Sequence, residues 1–182
     1  MNIIKENLTL RAIEYSDLTL FQMWANDPEI QIMLGGWHFP VSIIDQENWY
    51  KNINCKSMDQ RFTIEDINKD IIGMCNLVNI NLKDGVAEIG LIIDKKYQKK
   101  GYGKKVVDAI CDYSFNELRL NRLETTIIDY NLPSLKLFTE KCGWVLEGHK
   151  RKYYFRKGNY HNQNILSILA SEYNNNNNNN NI

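Results

Sequence analysis

The sequence predicts one mixed α/β domain, a mostly antiparallel central sheet flanked by helices. Three observations carry that expectation. Apolar side chains recur with a period of two in some segments and near 3.6 in others, and the two patterns alternate along the chain. Turn signals at Asn68-Lys69-Asp70 and Lys83-Asp84-Gly85 join successive strand-like runs directly, as antiparallel hairpins require. Two strand-to-helix units follow in the second half. With 182 residues, 43% of them hydrophobic, the chain can bury one sizeable core without disulfide staples.

In chain order, residues 8–13 alternate apolar and polar side chains like a strand. Ser16 offers an N-cap to a helix carrying Leu18, Phe21, Met23 and Trp24, which should stop near Asn26-Asp27-Pro28. Residues 35–40 read as a loop, and Ser42 as the cap of a second helix with Ile43, Ile44, Trp49 and Tyr50. Strands are expected at 61–64, 71–78 and 86–93. After a loop at 97–103, a helical pattern runs through Val106, Val107, Ile110, Cys111, Tyr113 and Leu118. Residues 122–128 form another strand. Asn131-Leu132-Pro133-Ser134 opens a helix ending at Cys142-Gly143, with Pro133 in its first turn and Gly143 past its end. Residues 144–155 and 160–170 read as a closing strand pair around Lys157-Gly158-Asn159. The domain should span 1–173. The eight consecutive Asn from 174 to 181 offer no apolar surface against the entropy of ordering, so 174–182 reads as a disordered tail.

Composition narrows the function classes. The chain has 22 Lys+Arg and 22 Asp+Glu, with a pI near 6.8. Nucleic-acid-binding domains usually carry a basic excess, so no nucleic-acid partner is expected. Cys55, Cys75, Cys111 and Cys142 form no C-x-x-C pair, and only His38, His149 and His161 could add imidazole ligands. No zinc spacing results and no metal is expected; the cysteines read as free thiols in a reducing compartment. The first ten residues include Lys5 and Glu6 and no apolar signal core, and no stretch approaches the ~18 apolar residues of a membrane span. A soluble, cytoplasmic protein with no membrane partner is expected, compatible with a homo-oligomer.

The sharpest local feature is Gln98-Lys99-Lys100-Gly101-Tyr102-Gly103, between an expected strand and an expected helix. Two glycines permit a tight turn, and the unpaired amides at a helix start form an anion-binding nest at the positive end of the helix. Six lysines lie between 95 and 105, Lys95, Lys96, Lys99, Lys100, Lys104 and Lys105, which suggests a polyphosphate ligand; a surface turn with solvated lysines is the plainer alternative. A Walker loop is excluded because Gly103-Lys104 is followed by Lys105 and the first glycine is misplaced. A dinucleotide fingerprint is excluded because Val106 holds the third glycine position.

Q-x-x-G-x-G in this setting resembles the acyl-CoA pyrophosphate loop of the GNAT superfamily of N-acetyltransferases. The run Asn131-x-x-Ser134-x-x-Leu137-Phe138-x-x-x-x-Gly143-Trp144-x-x-Glu147-Gly148 resembles that family's second motif. Leu8-x-Leu10-Arg11 and Trp24-x-Asn26-Asp27-Pro28 are similar to the branch holding ribosomal-protein N-terminal and spermidine acetyltransferases. The resemblance covers roughly residues 8–172.

It implies a GNAT-like fold with acetyl-CoA as co-substrate. Gln98, Lys99, Lys100, Gly101, Tyr102, Gly103 and Lys104 would bind the pyrophosphate, mainly through backbone amides, with Gly101 and Gly103 allowing close approach. Leu91, Ile92 and Ile93 would pair with the pantetheine amides by strand addition, and a backbone amide there would face the thioester oxygen. Asn131 would hydrogen-bond the pantetheine arm, or simply open its helix, and Ser134 belongs to the same cofactor-binding set.

The implied chemistry is direct attack of a primary amine on the thioester. Alkylamines titrate near 10, so a base must take the proton. Glu88 matches the strand position where several family members place such a carboxylate, and alternation puts it on one face with Gly90 and Ile92; a surface or ion-paired glutamate is the alternative. Many members place a tyrosine acid where this chain has Phe138, which reads as core packing, with Tyr130 or Cys142 as substitutes. A thiolate of pKa near ~8.5 leaves largely unassisted. The acceptor, a polyamine-like small molecule or a protein N-terminus, would sit near Trp37, His38, Phe39, Tyr153, Tyr154, Tyr160 and His161, with Glu29, Asp45 and Glu47 as candidate attractors. A CoA-binding regulatory protein with little turnover and a phosphate-binding domain unrelated to CoA stand as rivals.

Overall fold

The computed structural model describes residues 2–35, 39–53 and 56–179. Eight strands form one sheet: β1 (Ile3–Lys5), β2 (Leu8–Ala12), β3 (Gln60–Asp66), β4 (Ile71–Asn81), β5 (Val86–Ile93), β6 (Arg122–Ile128), β7 (Val145–Arg156) and β8 (Asn159–Leu169). Their spatial order is β1-β2-β3-β4-β5-β6-β8-β7, and each neighbouring pair is antiparallel except β5 with β6. The expected α/β class and mostly antiparallel sheet are therefore present.

Alternation along the strands sends two apolar sets to opposite faces. One holds Leu10, Ile64, Leu77, Ile89, Leu123 and Leu166, and packs under α4 (Tyr102–Asp112) through Val106, Val107 and Ile110. The other face meets α1 (Leu18–Ala25), α2 (Pro28–Met33) and α3 (Ile43–Lys51), where Phe21, Trp24 and Ile30 pack with Trp49, Met74 and Ile92. α5 (Leu132–Lys136) and the wider turn at Leu137–Lys141 complete the first face, with Gly143 left-handed past the end at φ 72°.

At four places the structure departs from the sequence reading or adds to it. Ser16 does not cap α1: a 3₁₀ turn at Tyr15–Asp17 precedes it, and the Asp17 carboxylate accepts from the Glu14 amide at 2.9 Å. α1 stops at Ala25 with Asn26 as its C-cap, where the sequence expects, but Pro28 then starts a second helix that the sequence reading does not contain. Asp27 accepts from the amides of Glu29 and Ile30, and a proline in the first turn sacrifices no helical bond. β1 is too short to leave a periodic signal. Finally, α6 (Ala170–Asn179) carries helical backbone into the asparagine run, where the sequence suggests a tail. Glu172 reaches back to the Leu169 amide at 2.8 Å, and Tyr173 docks beside Phe115 with ring centroids 5.5 Å apart, so the helix starts from a fixed first turn. Residues 180–182 lie outside the described residues.

Ser42 does cap α3: its hydroxyl accepts from the Asp45 amide at 3.1 Å, while Asp45 accepts from the Ser42 amide at 2.9 Å.

Candidate active site

The parallel pair β5–β6 is registered only at Val86–Arg122, Ala87–Leu123 and Glu88–Glu124, after which the strands part. The Thr125 hydroxyl donates to the Ile89 carbonyl at 3.0 Å and is the last bridge across the gap. On the other side β5 stays paired to β4 as far as Gly73–Ile93. The Asp94 amide donates to the Ile72 carbonyl, so hydrogen-bonded pairs fall at every second residue from there. The backbone groups of Leu91 and Ile93 therefore point away from β4, into the gap. Ile92 points its backbone toward β4 and its side chain into the second core.

The loop at 98–104 borders this edge. The Gln98 side chain donates to the Ile93 carbonyl at 2.9 Å, tying the loop to the strand end. Lys99 and Gly101 are left-handed, at φ 60° and 85°, which curls the chain into a nest. The first α4 bond returns from the Lys105 amide to the Gly101 carbonyl, leaving the amides of Tyr102, Gly103 and Lys104 for a ligand. Within the protein the two glycines have different surroundings. A Cβ on Gly101 would meet no protein atom within 4 Å, so what the fold itself asks of this position is the left-handed φ, which side-chain-bearing residues adopt at a cost. A Cβ on Gly103 would meet the Leu137 side chain at 3.0 Å, so there the glycine lets α4 pack against the following helix.

The lysine cluster is partly spent inside the protein. Lys95 bridges Asp27 and Glu29, both at 2.8 Å, Lys104 pairs with Asp108, and Lys105 with Glu6. Lys100 lies over the Tyr97 ring. Among the described residues, Lys96, Lys99 and Lys100 make no ion pair and supply the loop's local charge.

Asn131, 9% exposed, caps α5 by accepting from the Ser134 amide at 3.2 Å and donates to the Met33 carbonyl at the same distance. Tyr130 donates to the Ile32 carbonyl beside it. These bonds fasten the end of α2 over the open end of the strand gap.

Glu88 is half-buried on the face shared with Gly90 and Ile92, opposite that of α4. Its Oε2 accepts from the Asn79 side-chain amide at 3.0 Å. Glu124, its neighbour in register, is held by the Arg122 Nε at 2.6 Å, and the same guanidinium binds Glu147. Phe138 is 4% exposed and stands edge-on to Trp144 in the first core. The Tyr130 proton is committed to Ile32, and burial, with Asp129 adding and Arg156 opposing, pushes its phenol up. Burial pushes the Cys142 thiol up to about 12. Neither is a ready proton donor.

On the Ile92 face a cleft of about 390 Å³ opens between α1, α3 and the sheet, lined by Phe21, Trp24, Trp49, Met74 and Ile92 with Gln46 and Asp45. It shares Ala25 and Gln31 with an outer cleft of about 470 Å³ that reaches Phe39, Phe155 and Arg156. Of the expected acceptor residues, Phe39 lines the outer cleft; Trp37 and His38 lie outside the described residues. Tyr154 instead accepts from Gln163 at 2.7 Å, His161 packs on Tyr130, and Tyr160 packs on Phe155. Tyr153 stands edge-on to Tyr154. Glu29 is paired with Lys95, Glu47 accepts from Tyr15, and Asp45 serves the α3 cap. Sequence reasoning missed Trp24 and Trp49 as cleft walls, since their helical spacing marks only an apolar face. Among the described residues no cluster of three or more His, Cys, Asp or Glu could hold a metal ion. No helix among them is long and apolar enough to cross a membrane.

An open strand edge beside a left-handed, glycine-capped helix start defines an α/β acyltransferase architecture. Residues 7–145 match the acetyltransferase (GNAT) domain family, and the chain belongs to that family. It is 32% identical over 171 residues to a spermidine N(1)-acetyltransferase of Vibrio cholerae, covering 93% of this chain and 97% of the relative. The crystal structure of a Vibrio cholerae spermidine N-acetyltransferase with CoA and spermine superimposes with a TM-score of 0.86 at 31% identity, over 93% of this chain and 99% of that one. A dodecameric structure from the same organism gives 0.79 at 32% identity, over 93% and 97%. The protein is thus an N-acetyltransferase and not an unrelated phosphate-binding domain.

Proposed function

We propose that this acetyl-CoA-dependent N-acetyltransferase acetylates a primary amine of a polyamine by direct attack within a ternary complex. The observation that carries the reading is the strand gap, where the Leu91 backbone faces an opening flanked by three unpaired amides at the start of α4. The family and the relatives' spermidine activity support the acceptor class.

In this reading the loop at 98–104 holds the pyrophosphate, chiefly through the amides of Tyr102, Gly103 and Lys104, and Leu91 and Ile93 pair with the pantetheine arm; the Gln98 amide is engaged by the Lys95 carbonyl. Asn131 keeps one amide hydrogen for the same arm after its bonds to Ser134 and Met33. Acetyl-CoA supplies the activated thioester. The Leu91 amide donates to the thioester oxygen, where negative charge develops during attack. The acceptor enters along the Trp24–Trp49 cleft, whose rings favour a cation. Glu88 takes the proton from the incoming ammonium, directly or through a water, leaving a free amine to attack. The thiolate departs without an acid, consistent with Phe138 in the core.

The enzyme acts in the cytoplasm as a homo-oligomer in this reading. Free Cys75, Cys111 and Cys142 suit a reducing compartment, and exposed Val145, Leu146 and Phe155 on β7 offer apolar surface for self-association.

Thiol release measured against spermidine, spermine, a free amino acid and a peptide with an unblocked N-terminus tests the acceptor. The polyamines are expected to give the highest kcat/KM, and turnover of the peptide alone refutes the polyamine reading. Glu88→Gln is expected to lower kcat by about 10²–10³-fold at pH 7 and to recover as the amine deprotonates. An unchanged pH–rate profile removes Glu88 from the mechanism.

A further inference from the structure

We propose that Asn79 is a positioning residue for the base, aimed at Glu88 by a bulge built into β4; this rests on the role given to Glu88 above. Pairing between β4 and β5 runs regularly to Val78–Glu88 and resumes at Asn81–Val86, so Asn79 and Ile80 together oppose Ala87 alone. Plain alternation would send the Asn79 side chain to the face of Leu77, which is fully buried in the first core. Asn79 is instead left-handed, at φ 52°, and its side chain meets Glu88 on the opposite face. Asparagine is among the few residues with a side chain that adopt this conformation readily.

The bulge is anchored. The Asn79 amide donates to Asp59 Oδ1 at 2.8 Å, and the Asp59 amide donates to the Ser57 hydroxyl at 3.1 Å. An ionised carboxylate only accepts, so Asn79 must present its nitrogen to Glu88, as the 3.0 Å bond from Nδ2 to Oε2 requires. That bond fixes one oxygen and the side-chain rotamer, and leaves Oε1 for the acceptor's proton. The charges around Glu88 support the arrangement. Glu124 lies across the strand pair with its carboxylate held by Arg122, and Asp59 is engaged by the Asn79 amide and Arg61. Among the described residues Asn79 is the side chain that donates to Glu88, and the nearby carboxylates of Glu124 and Asp59 are engaged by other partners.

Asn79→Gly keeps the left-handed backbone and removes only the amide. With the amine of highest kcat/KM in the panel above, kcat is expected to fall about tenfold while both KM values stay within twofold. In the Glu88→Gln background the same change is expected to cost less than twofold, because no base remains to be positioned. Asn79→Asp keeps the shape and the backbone preference but replaces the donor with a second negative charge; kcat should fall at least as far, and the rise of rate with pH should move upward. An equal loss from Asn79→Gly in both backgrounds, or a loss in KM alone, overturns the proposal while leaving Glu88 as base. A Glu88→Gln enzyme with unaltered kcat overturns both.

Discussion

The two sides of the strand gap are built from different material. In the proposed arrangement the recognising groups on the cofactor side are backbone: the outward-facing Leu91 and Ile93 and the unpaired amides that begin α4. On the proposed acceptor side they are side chains, Trp24 and Trp49 among those lining the cleft, presented by helices tied to the sheet through a few polar anchors. Backbone recognition depends on φ angles and ladder register and tolerates many side chains. Side-chain recognition depends on helices being held in place. The two sides should therefore fail in different ways when altered.

The largest effect is expected at an anchor. Asp17, 1% exposed, precedes α1 and accepts two bonds from Arg11 on β2, at 2.7 and 3.0 Å, and one from Thr63 on β3, at 2.8 Å. Burial pushes this carboxyl up, but the Arg11 guanidinium, the Glu14 amide and the Thr63 hydroxyl outweigh it and hold it below the ordinary aspartate value. Asp17→Asn leaves the partly buried Arg11 guanidinium with Glu65 as its remaining carboxylate, at 2.6 Å, and weakens three of the bonds that hold Asp17, which should cost about 3 kcal/mol in urea unfolding at pH 7. A carboxyl lowered by folding stabilises fully above its unfolded value near ~4 and loses that contribution as pH falls through the folded value. The gap between native and variant should therefore narrow below about pH 4. A gap constant down to pH 2 would mean the ion pair is not what holds α1.

Next comes the backbone side. Gly101→Val places a β-branched residue at φ 85°, a strain of about 1–3 kcal/mol, and should weaken acetyl-CoA binding by up to about a hundredfold in calorimetric titration. Gly101→Asn should stay within a few-fold of wild type, because asparagine adopts the left-handed region. Equal losses from both would show that the bound nucleotide, rather than φ, excludes a side chain.

This contrast also explains what the sequence discloses. The loop at 98–104 and the Asn131–Ser134 cap are legible because backbone recognition leaves glycines and capping residues at fixed spacing. The face of Glu88 is legible because alternation has a period of two. Asn79 is not, because it falls just past the strand expected at 71–78 and a bulge breaks the period of two there. α2 is not, because Pro28 fits the end of one helix as well as the start of another. Trp24 and Trp49 look like core on any helical pattern; only the space between α1 and α3 reveals them as walls of a cleft. The charge of the lysine cluster is overstated by composition, since Lys95, Lys104 and Lys105 find acids far away in sequence or one turn along the helix.

A smaller effect tests the acceptor side directly. Trp49→Ala removes one aromatic wall that meets Phe21 edge-on at 6.3 Å. Cation–π contacts are worth ~0.5–2 kcal/mol, so the acceptor KM should rise about tenfold while the KM for acetyl-CoA stays within twofold. A matching rise in both would mean that the cleft shapes the β5 edge through Ile92, and that the two sides are less separate than their construction suggests.

The smallest change is expected where the chain lacks the tyrosine that many relatives carry. Phe138 is enclosed beside Trp144, and the departing thiol has an intrinsic pKa near ~8.5, against ~10 for the amine that replaces it. Proton removal from the acceptor is thus the harder transfer, and the base rather than an acid should limit the rate. Phe138→Tyr is expected to change kcat by less than threefold at pH 7. A tenfold or greater rise would show that protonating the thiolate limits turnover, and that the backbone side of the site lacks a side-chain donor it can use.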